Sequence, residues 1–372
     1  MRIGIIGAGQ LGRMLALAGY PLGMRFSFLD PSTDACGTHV GEHIVGAYDD
    51  PTKLQALAGK VDVISFEFEN VPVETLQAIA KRKPLFPPVN ALATSQDRLL
   101  EKNLFQTLGI ATPGFQAVDS LADLEQAVTS LGLPGILKTR RLGYDGRGQY
   151  RLRTLSDLAT AWQTLGGVPL IYEAFVPFTR EVSMIGVRSS TGETAFYPLT
   201  ENTHHNGVLH LSLAPYKHTA LQHQAEQYLK KLFKQFNYVG VLTVEFFVLR
   251  GQLIANEMAP RVHNSGHWTI EGAETSQFEN HLRAICGLPL GSTAVRGHAA
   301  MLNFVGYIPD AKDALRQQGV HFHDYGKQTR EGRKLGHATV VCPTVKVRDT
   351  SVKKLLTLMP KKKATAKTKK PK

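Results

Sequence analysis

Apolar positions in the first 95 residues follow two alternating spacings. RIGII, RFSFLD and VDVISF are short apolar runs bounded by turn residues, the pattern of strands buried on both faces. Between them, QLGRMLALAG and PVETLQAIAKRK carry apolar residues at helical spacing. This alternation predicts one doubly wound α/β domain over residues 1–95. Residues 96–175 read differently. A helix in SQDRLLEKNLFQTLGI ends near Gly109, a second covers 120–132, and the strand-like ILK and LIYEAFV frame a glycine-rich loop. A small α+β module is expected there. From residue 176 to about 358 the pattern turns antiparallel. EVSMIGVRS, TAFYPLT and VLHLSLAP alternate with turn residues, a helix covers 220–237, and YVGVLTVEFFVL and QLIANEMA follow.

Composition changes this picture little. The 372 residues are 43% hydrophobic and 20% charged, and no apolar run approaches the 18 or so residues of a membrane helix. MRIGIIGAG enters a strand with no signal-peptide pattern. Cys36, Cys286 and Cys342 lie far apart, so neither a disulfide framework nor a zinc site is indicated, and a reducing cytoplasm is the expected home. The net charge of +12 has a local origin. Seven lysines and no acid fall in the last twelve residues, leaving +5 for the rest. Residues 359–372 are expected to form a disordered Lys-rich tail, a solvated appendage or a nonspecific contact for polyanions.

Three stretches carry candidate chemistry. In ILKTRRLGYDGRGQY, Gly143, Gly146 and Gly148 sit among Lys138, Arg140, Arg141 and Arg147, the build of a flap over a polyphosphate. Near the N-terminus, Gly7-x-Gly9-x-x-Gly12 between a strand and a helix, with Asp30 ending the next strand, forms a dinucleotide fingerprint. An NAD oxidoreductase is therefore a rival reading, although folds that bind no dinucleotide share this start. Glu67, Glu69 and Asn70 follow an apolar strand, where open parallel sheets place ligand groups. Glu173 and Glu181 flank the entry to the antiparallel part and suit a ribose hydroxyl or an adenine amine, or else simply solvent.

The third stretch runs from Tyr238 to Thr269. Two strands flank Arg250-Gly251, so Glu245 and Glu257 fall on neighbouring strands. A three-residue loop over Arg250 to Gln252 would pair them directly, whereas a two-residue loop would pair Glu245 with Asn256; the first register is expected. Two facing carboxylates call for a cation if buried, and Mg²⁺ brought in on phosphates suits an all-oxygen site. APRVHNSGHWT then crowds Arg261, His263, Asn264, Ser265 and His267 into a loop suited to an anion. Arg333 and Lys334 on the turn REGRKLGH form a further phosphate-holding pair.

GYDGRGQ after ILK, the Glu245 and Glu257 pair, FYPLTEN before His204, NEMAPRVHNSGHWT and GRKLGH together resemble the ATP-grasp superfamily, and within it the N5-carboxyaminoimidazole ribonucleotide synthetases of purine biosynthesis. The resemblance covers residues 1 to about 358. It implies the ATP-grasp fold, α/β and α+β, with a Rossmann-like (pre-ATP-grasp) domain, a small lid and an antiparallel C-terminal domain. It also implies ATP and Mg²⁺ as cofactors, 5-aminoimidazole ribonucleotide and bicarbonate as substrates, a homodimer, and no membrane partner. On matching positions, Arg98, Lys138, the loop Gly143, Tyr144, Asp145, Gly146, Arg147, Gly148 and Gln149, then Glu173, Ala174, Phe175, Val176, Glu181, His204, Asn256 and Glu257 would line the ATP site. Glu245 and Glu257 would hold the metal. Tyr144, Arg147, Arg261, His263 and Lys334 would face bicarbonate, carboxyphosphate and the amine. One departure is Ala259, where many superfamily members carry an asparagine ligand; Asn256 or water would have to substitute.

Overall fold

The computed structural model describes residues 1–143 and 146–360. Tyr144, Asp145 and the lysine tail from Lys361 onward lie outside the described residues.

Three sheets organise the chain. The first is parallel, with β1 (Arg2–Ile6), β2 (Arg25–Asp30), β3 (Glu42–Val45) and β4 (Val63–Phe66) in the order β3-β2-β1-β4. Helices α1 (Gln10–Gly19), α2 (Pro51–Lys60) and α3 (Val73–Ala80) cover it. Sequence order and the short connections suit right-handed crossovers of this kind. One face buries Ile6, Ile64 and Phe66 against Leu57 and Leu76. The other, with Ile3, Ile5 and Phe28, joins a core that continues through Leu282 to Ile185 and Trp268. The N-terminal unit therefore shares its apolar interior with the rest of the chain.

Helices α4 (Val89–Ser95) and α5 (Arg98–Thr107) follow, the second started by Asp97, whose carboxylate accepts the Leu99 and Leu100 N–H groups. The small antiparallel sheet comes next, with β5 (Phe115–Val118), β6 (Gly135–Thr139), β7 (Gln149–Leu152) and β8 (Leu170–Ala174) in the order β5-β8-β6-β7. Helices Leu121–Leu131 and Asp157–Leu165 bury Leu124, Val128 and Ala161 against Leu137, Leu152 and Tyr172.

The largest sheet has nine antiparallel strands. They are β9 (Arg180–Arg188), β10 (Thr194–Phe196), β11 (Thr200–His205), β12 (Val208–Ala214), β13 (Gly240–Leu249), β14 (Gln252–Ala259), β15 (His298–Val305), β16 (Val320–Asp324) and β17 (Lys334–Cys342). Their order is β14-β13-β9-β11-β12-β15-β17-β16, with β10 paired to β9. Helix Thr219–Phe236 covers one face with Leu229 and Phe233, and Phe105 of α5 enters the same core. So α5 packs on the large sheet, at its β14 edge, although it precedes the small sheet in the chain.

Candidate active site

A cavity of about 810 Å³ opens between the three sheets, lined by residues from the loop after β4, α5, the flap, β9, β11, β13, β14 and the start of β17. Of the expected site residues, Arg98, Lys138, Gly143, Gly146, Arg147, Gly148, Gln149, Phe175, Glu181, His204, Glu245, Asn256, Glu257, Arg261, His263 and Lys334 all line it. Glu173, Ala174 and Val176 do not. Glu173 lies beneath the wall, 2% exposed, where its carboxylate takes Lys138 Nζ at 3.0 Å and Lys102 Nζ at 3.5 Å.

The β13–β14 hairpin brings Glu245 opposite Glu257 as expected, but by another route. Arg250 and Gly251 form a two-residue turn, both with positive φ (50° and 75°), so Leu249 pairs with Gln252. This primed turn matches the strand twist and leaves no room for the three-residue loop. Carried along, its register would pair Glu245 with Asn256. A bulge at Asn256 shifts the ladder by one residue and restores the Glu245–Glu257 pair.

The pair sits in a strongly coupled charge field. Burial, then the facing Glu257 and Glu181, push the Glu245 carboxyl up to about 7, although His204 and Lys334 draw it down. Burial opposes a charge on His204, but the hydrogen bond to Glu181 (3.1 Å) and the nearby Glu245 and Glu257 outweigh it and raise the imidazole to about 8. Glu173 is buried too, yet Lys102 and Lys138 hold it down at about 2. Burial is the main cause of the raised Glu245 carboxyl and the facing anions add to it, and a bound cation would offset the anions' part. Among the described residues no group of three or more His, Cys, Asp or Glu side chains could hold a metal by itself. The donor set therefore fits a metal whose remaining ligands come from phosphate oxygens and water.

The flap follows β6, whose Lys138 pairs with Gln149 of β7. Its cations divide. Arg140 makes two hydrogen bonds to Asp97 (3.0 and 2.7 Å) and Arg141 donates to Gln96 Oε1 at 2.6 Å, so these two anchor the loop and do not line the cavity. Arg98 donates to the Thr139 and Gly143 carbonyls, both at 3.1 Å. Lys138 and Arg147 face the cavity. Gly146, at φ 78°, approaches the turn between β11 and β12 so closely that a Cβ there would lie 2.8 Å from the Asn206 carbonyl.

Beyond β14, Arg261 pairs with Glu69 at 2.5 Å, joining the loop after β4 of the first sheet to the loop after β14 of the largest. His263 Nδ1 receives the Ser265 N–H (3.3 Å) and lies 2.8 Å from its hydroxyl, which in turn accepts from Ser183. With Nδ1 an acceptor, neutral His263 carries its proton on Nε2, which faces Glu245 at 3.6 Å. Burial, with Arg261 and Lys334 nearby, keeps that imidazole neutral by holding its pKa well below the usual range. Asn264, by contrast, is tied to Asn303 through two side-chain bonds, and His267 is fully buried away from the cavity.

Residues missed by sequence reasoning include Phe178 and Phe247, stacked at 4.6 Å and 12° on the cavity wall. Period-2 alternation along β13 places Phe247 on the Glu245 face, so that signal was present. Glu101 and Lys102 on α5 carried none.

The glycine turn is closed to a dinucleotide. The Glu67 carboxylate occupies it, accepting the Gly9 N–H and, at 2.6 Å, the Gly12 N–H. A Cβ at Gly9 would lie 2.5 Å from Glu67 Oε1, so this glycine makes room for a carboxylate. Asp30 is likewise engaged, by Ala8 N–H, Ser32 N–H and the Tyr48 hydroxyl. The helix N-terminus that would hold a pyrophosphate is already filled by the Glu67 carboxyl group.

A parallel-sheet domain, a small lid with a glycine-rich loop and a carboxylate pair on an antiparallel hairpin, meeting at one cavity, define an ATP-grasp enzyme. Family models agree: residues 1–96 match the ribonucleotide synthetase preATP-grasp domain, 103–278 the ATP-grasp domain and 299–350 the phosphoribosylaminoimidazole carboxylase C-terminal domain. The N5-carboxyaminoimidazole ribonucleotide synthase of Pseudomonas aeruginosa is 55% identical over 92% of this chain and 95% of its own length. The crystal structure of the Thermus thermophilus synthetase superposes with a TM-score of 0.93 at 53% identity, covering 96% of this chain and 99% of that one. An Aspergillus clavatus synthase in complex with ADP and 5-aminoimidazole ribonucleotide has a TM-score of 0.90 at 30% identity over 96% and 98% of the two chains. The chain belongs to the N5-carboxyaminoimidazole ribonucleotide synthase family of ATP-grasp ligases.

Proposed function

We propose that the cavity carries out the family reaction: ATP-dependent carboxylation of 5-aminoimidazole ribonucleotide with bicarbonate to N5-carboxyaminoimidazole ribonucleotide, through carboxyphosphate, with release of ADP and phosphate. The observation that carries this reading is the placement of the Glu245–Glu257 pair, Lys138, the flap and the Arg261–His263 loop around one cavity. The Aspergillus clavatus relative, whose complex holds ADP and the amine, supports it.

Bicarbonate is a poor electrophile and needs activation by phosphoryl transfer. In this reading ATP lies between the small and large sheets, with 96–175 and 176–358 as the two units that grip it and 1–95 as the third. Its base and ribose meet the Phe175–Glu181 side of the cavity, and its phosphates meet Lys138, Gly143 to Gln149 and Arg98. Glu245 and Glu257, with Asn256 beside them, would hold Mg²⁺, which when bound offsets charge on the transferring phosphoryl group. Arg261, fixed by Glu69, faces the carboxyphosphate anion. His263 presents an Nε2–H donor and acts by orientation. Arg147 and Lys334 face the amine and the anions, a role that the family resemblance extends to Tyr144, which lies outside the described residues. The flap closes over the cavity and excludes water, which would hydrolyse carboxyphosphate. A homodimer and a cytoplasmic site belong to the same reading; the three free cysteines suit the latter.

The test is ADP release measured with bicarbonate, with and without 5-aminoimidazole ribonucleotide, alongside product formation. Bicarbonate-dependent release, stimulated by the amine and matched by carboxylated product, is expected. Release indifferent to this amine would point to another acceptor.

A further inference from the structure

β14 is an edge strand, and its outer backbone groups turn toward α5. Two consecutive α5 residues take them on either side of Glu257. Lys102 Nζ donates to the Asn256 carbonyl at 2.7 Å and reaches the Ala255 carbonyl at 3.4 Å. Glu101 Oε1 accepts the Met258 N–H at 2.7 Å. A regular strand directs successive carbonyls to opposite edges, so one ammonium touching both Ala255 and Asn256 marks the turn of the backbone at the bulge. Glu101 and Lys102 are 2% and 1% exposed. Charged groups at such depth are costly, and a helix–sheet contact needs none; Phe105, one turn on, packs on the same sheet with an apolar ring.

We propose that Glu101 and Lys102 are positioning residues that clamp the Asn256 bulge and so hold the Glu257 carboxylate opposite Glu245 for the metal–nucleotide. This rests on the reading of Glu245 and Glu257 as metal ligands. The bulge alone decides whether Glu257 or Asn256 faces Glu245. On its outer edge β14 has no strand partner, only the Ala111 carbonyl accepting the Ala255 N–H at 2.7 Å, and on either side of Glu257 it is α5 that supplies the partners, through side chains. Lys102 also meets Glu173, so the clamp links the hairpin to the small sheet through one ammonium.

The test measures Mn²⁺ binding to the enzyme–ADP complex by electron paramagnetic resonance, together with melting temperature. Glu101→Ala should raise the Mn²⁺ dissociation constant at least fivefold, while Glu101→Gln, which keeps the acceptor oxygen, stays within twofold of wild type. Equal losses in both would make Glu101 a direct ligand and overturn the proposal. Wild-type Mn²⁺ affinity in folded Glu101→Ala would also overturn it. If that variant does not fold, Lys102→Met decides: a loss of at least fivefold is expected, and wild-type affinity refutes the clamp. Glu257→Gln is measured in parallel. Should it bind Mn²⁺ as wild type does, the metal reading fails; weakened binding in Glu257→Gln with none in Glu101→Ala sinks the clamp alone.

Discussion

Arg261 and Glu69 meet at 2.5 Å across the cavity, one from the end of β14 and the other from the loop after β4. The pair is only part-buried, so its stability contribution is modest, but through Nη2, with Nη1 donating to the Val262 carbonyl at 2.9 Å, it aims the guanidinium. Glu69→Gln is therefore expected to lower carboxylation at least fivefold with little change in melting temperature. Steady-state ADP release and product formation check this, and unchanged turnover would show that Arg261 needs no orientation from Glu69.

Glu67 should matter to folding and leave nicotinamide cofactors irrelevant. Glu67→Ala strips the acceptor from the Gly9 and Gly12 N–H groups, and two bonds to a carboxylate at about 1.5–3 kcal/mol each give an expected loss of at least about 3 kcal/mol. Guanidinium unfolding measures it. Wild-type protein should show no quenching or enhancement of NADH fluorescence; saturable NADH binding would contradict the closed turn.

His281 predicts an acid-sensitive joint between the first and last sheets. Its Nδ1 accepts the Val241 N–H at 3.1 Å and its Nε2 lies 3.0 Å from the Ser65 hydroxyl. Burial lowers its pKa from 6.5 to about 4. The unfolded chain therefore takes up a proton before the folded one, and stability falls as pH drops from 6.5 toward 4, by about 1.4 kcal/mol per pH unit for this group. Above 6.5 the group contributes no slope. In His281→Gln the pH dependence of unfolding free energy between 6.5 and 4.5 should lose about one proton's worth; an unaltered slope would refute the assignment.

Arg147 and His263 approach the cavity from the flap and from the loop after β14. Arg147→Ala and His263→Ala are each expected to cut carboxylation at least tenfold, about 1.4 kcal/mol of barrier, with ATP binding much less affected. If both hold one carboxyphosphate, the double variant loses less than the product of the single losses. Multiplicative losses would assign them separate tasks.

The two-residue and 3.6-residue periods were enough to read the parallel unit, the small lid and the antiparallel hairpin, because each depends on which face of a local element meets the core. The glycine-and-cation flap and the neighbouring Glu245 and Glu257 were legible for the same reason: their parts lie close in sequence. What the tertiary structure decided are partnerships between distant segments. The Asn256 bulge reconciles a two-residue turn with a carboxylate pair that a plain hairpin would have misaligned. Glu67 fills the glycine turn that, as a string of residues, is indistinguishable from a cofactor site. Arg140 and Arg141 serve Asp97 and Gln96, so of the flap's four cations only Lys138 and Arg147 line the cavity. Glu101 and Lys102 reach a strand more than 150 residues away. Local patterns encode which side of an element is apolar, whereas a buried charge finds its partner only after the elements have packed, so no spacing along the chain records it.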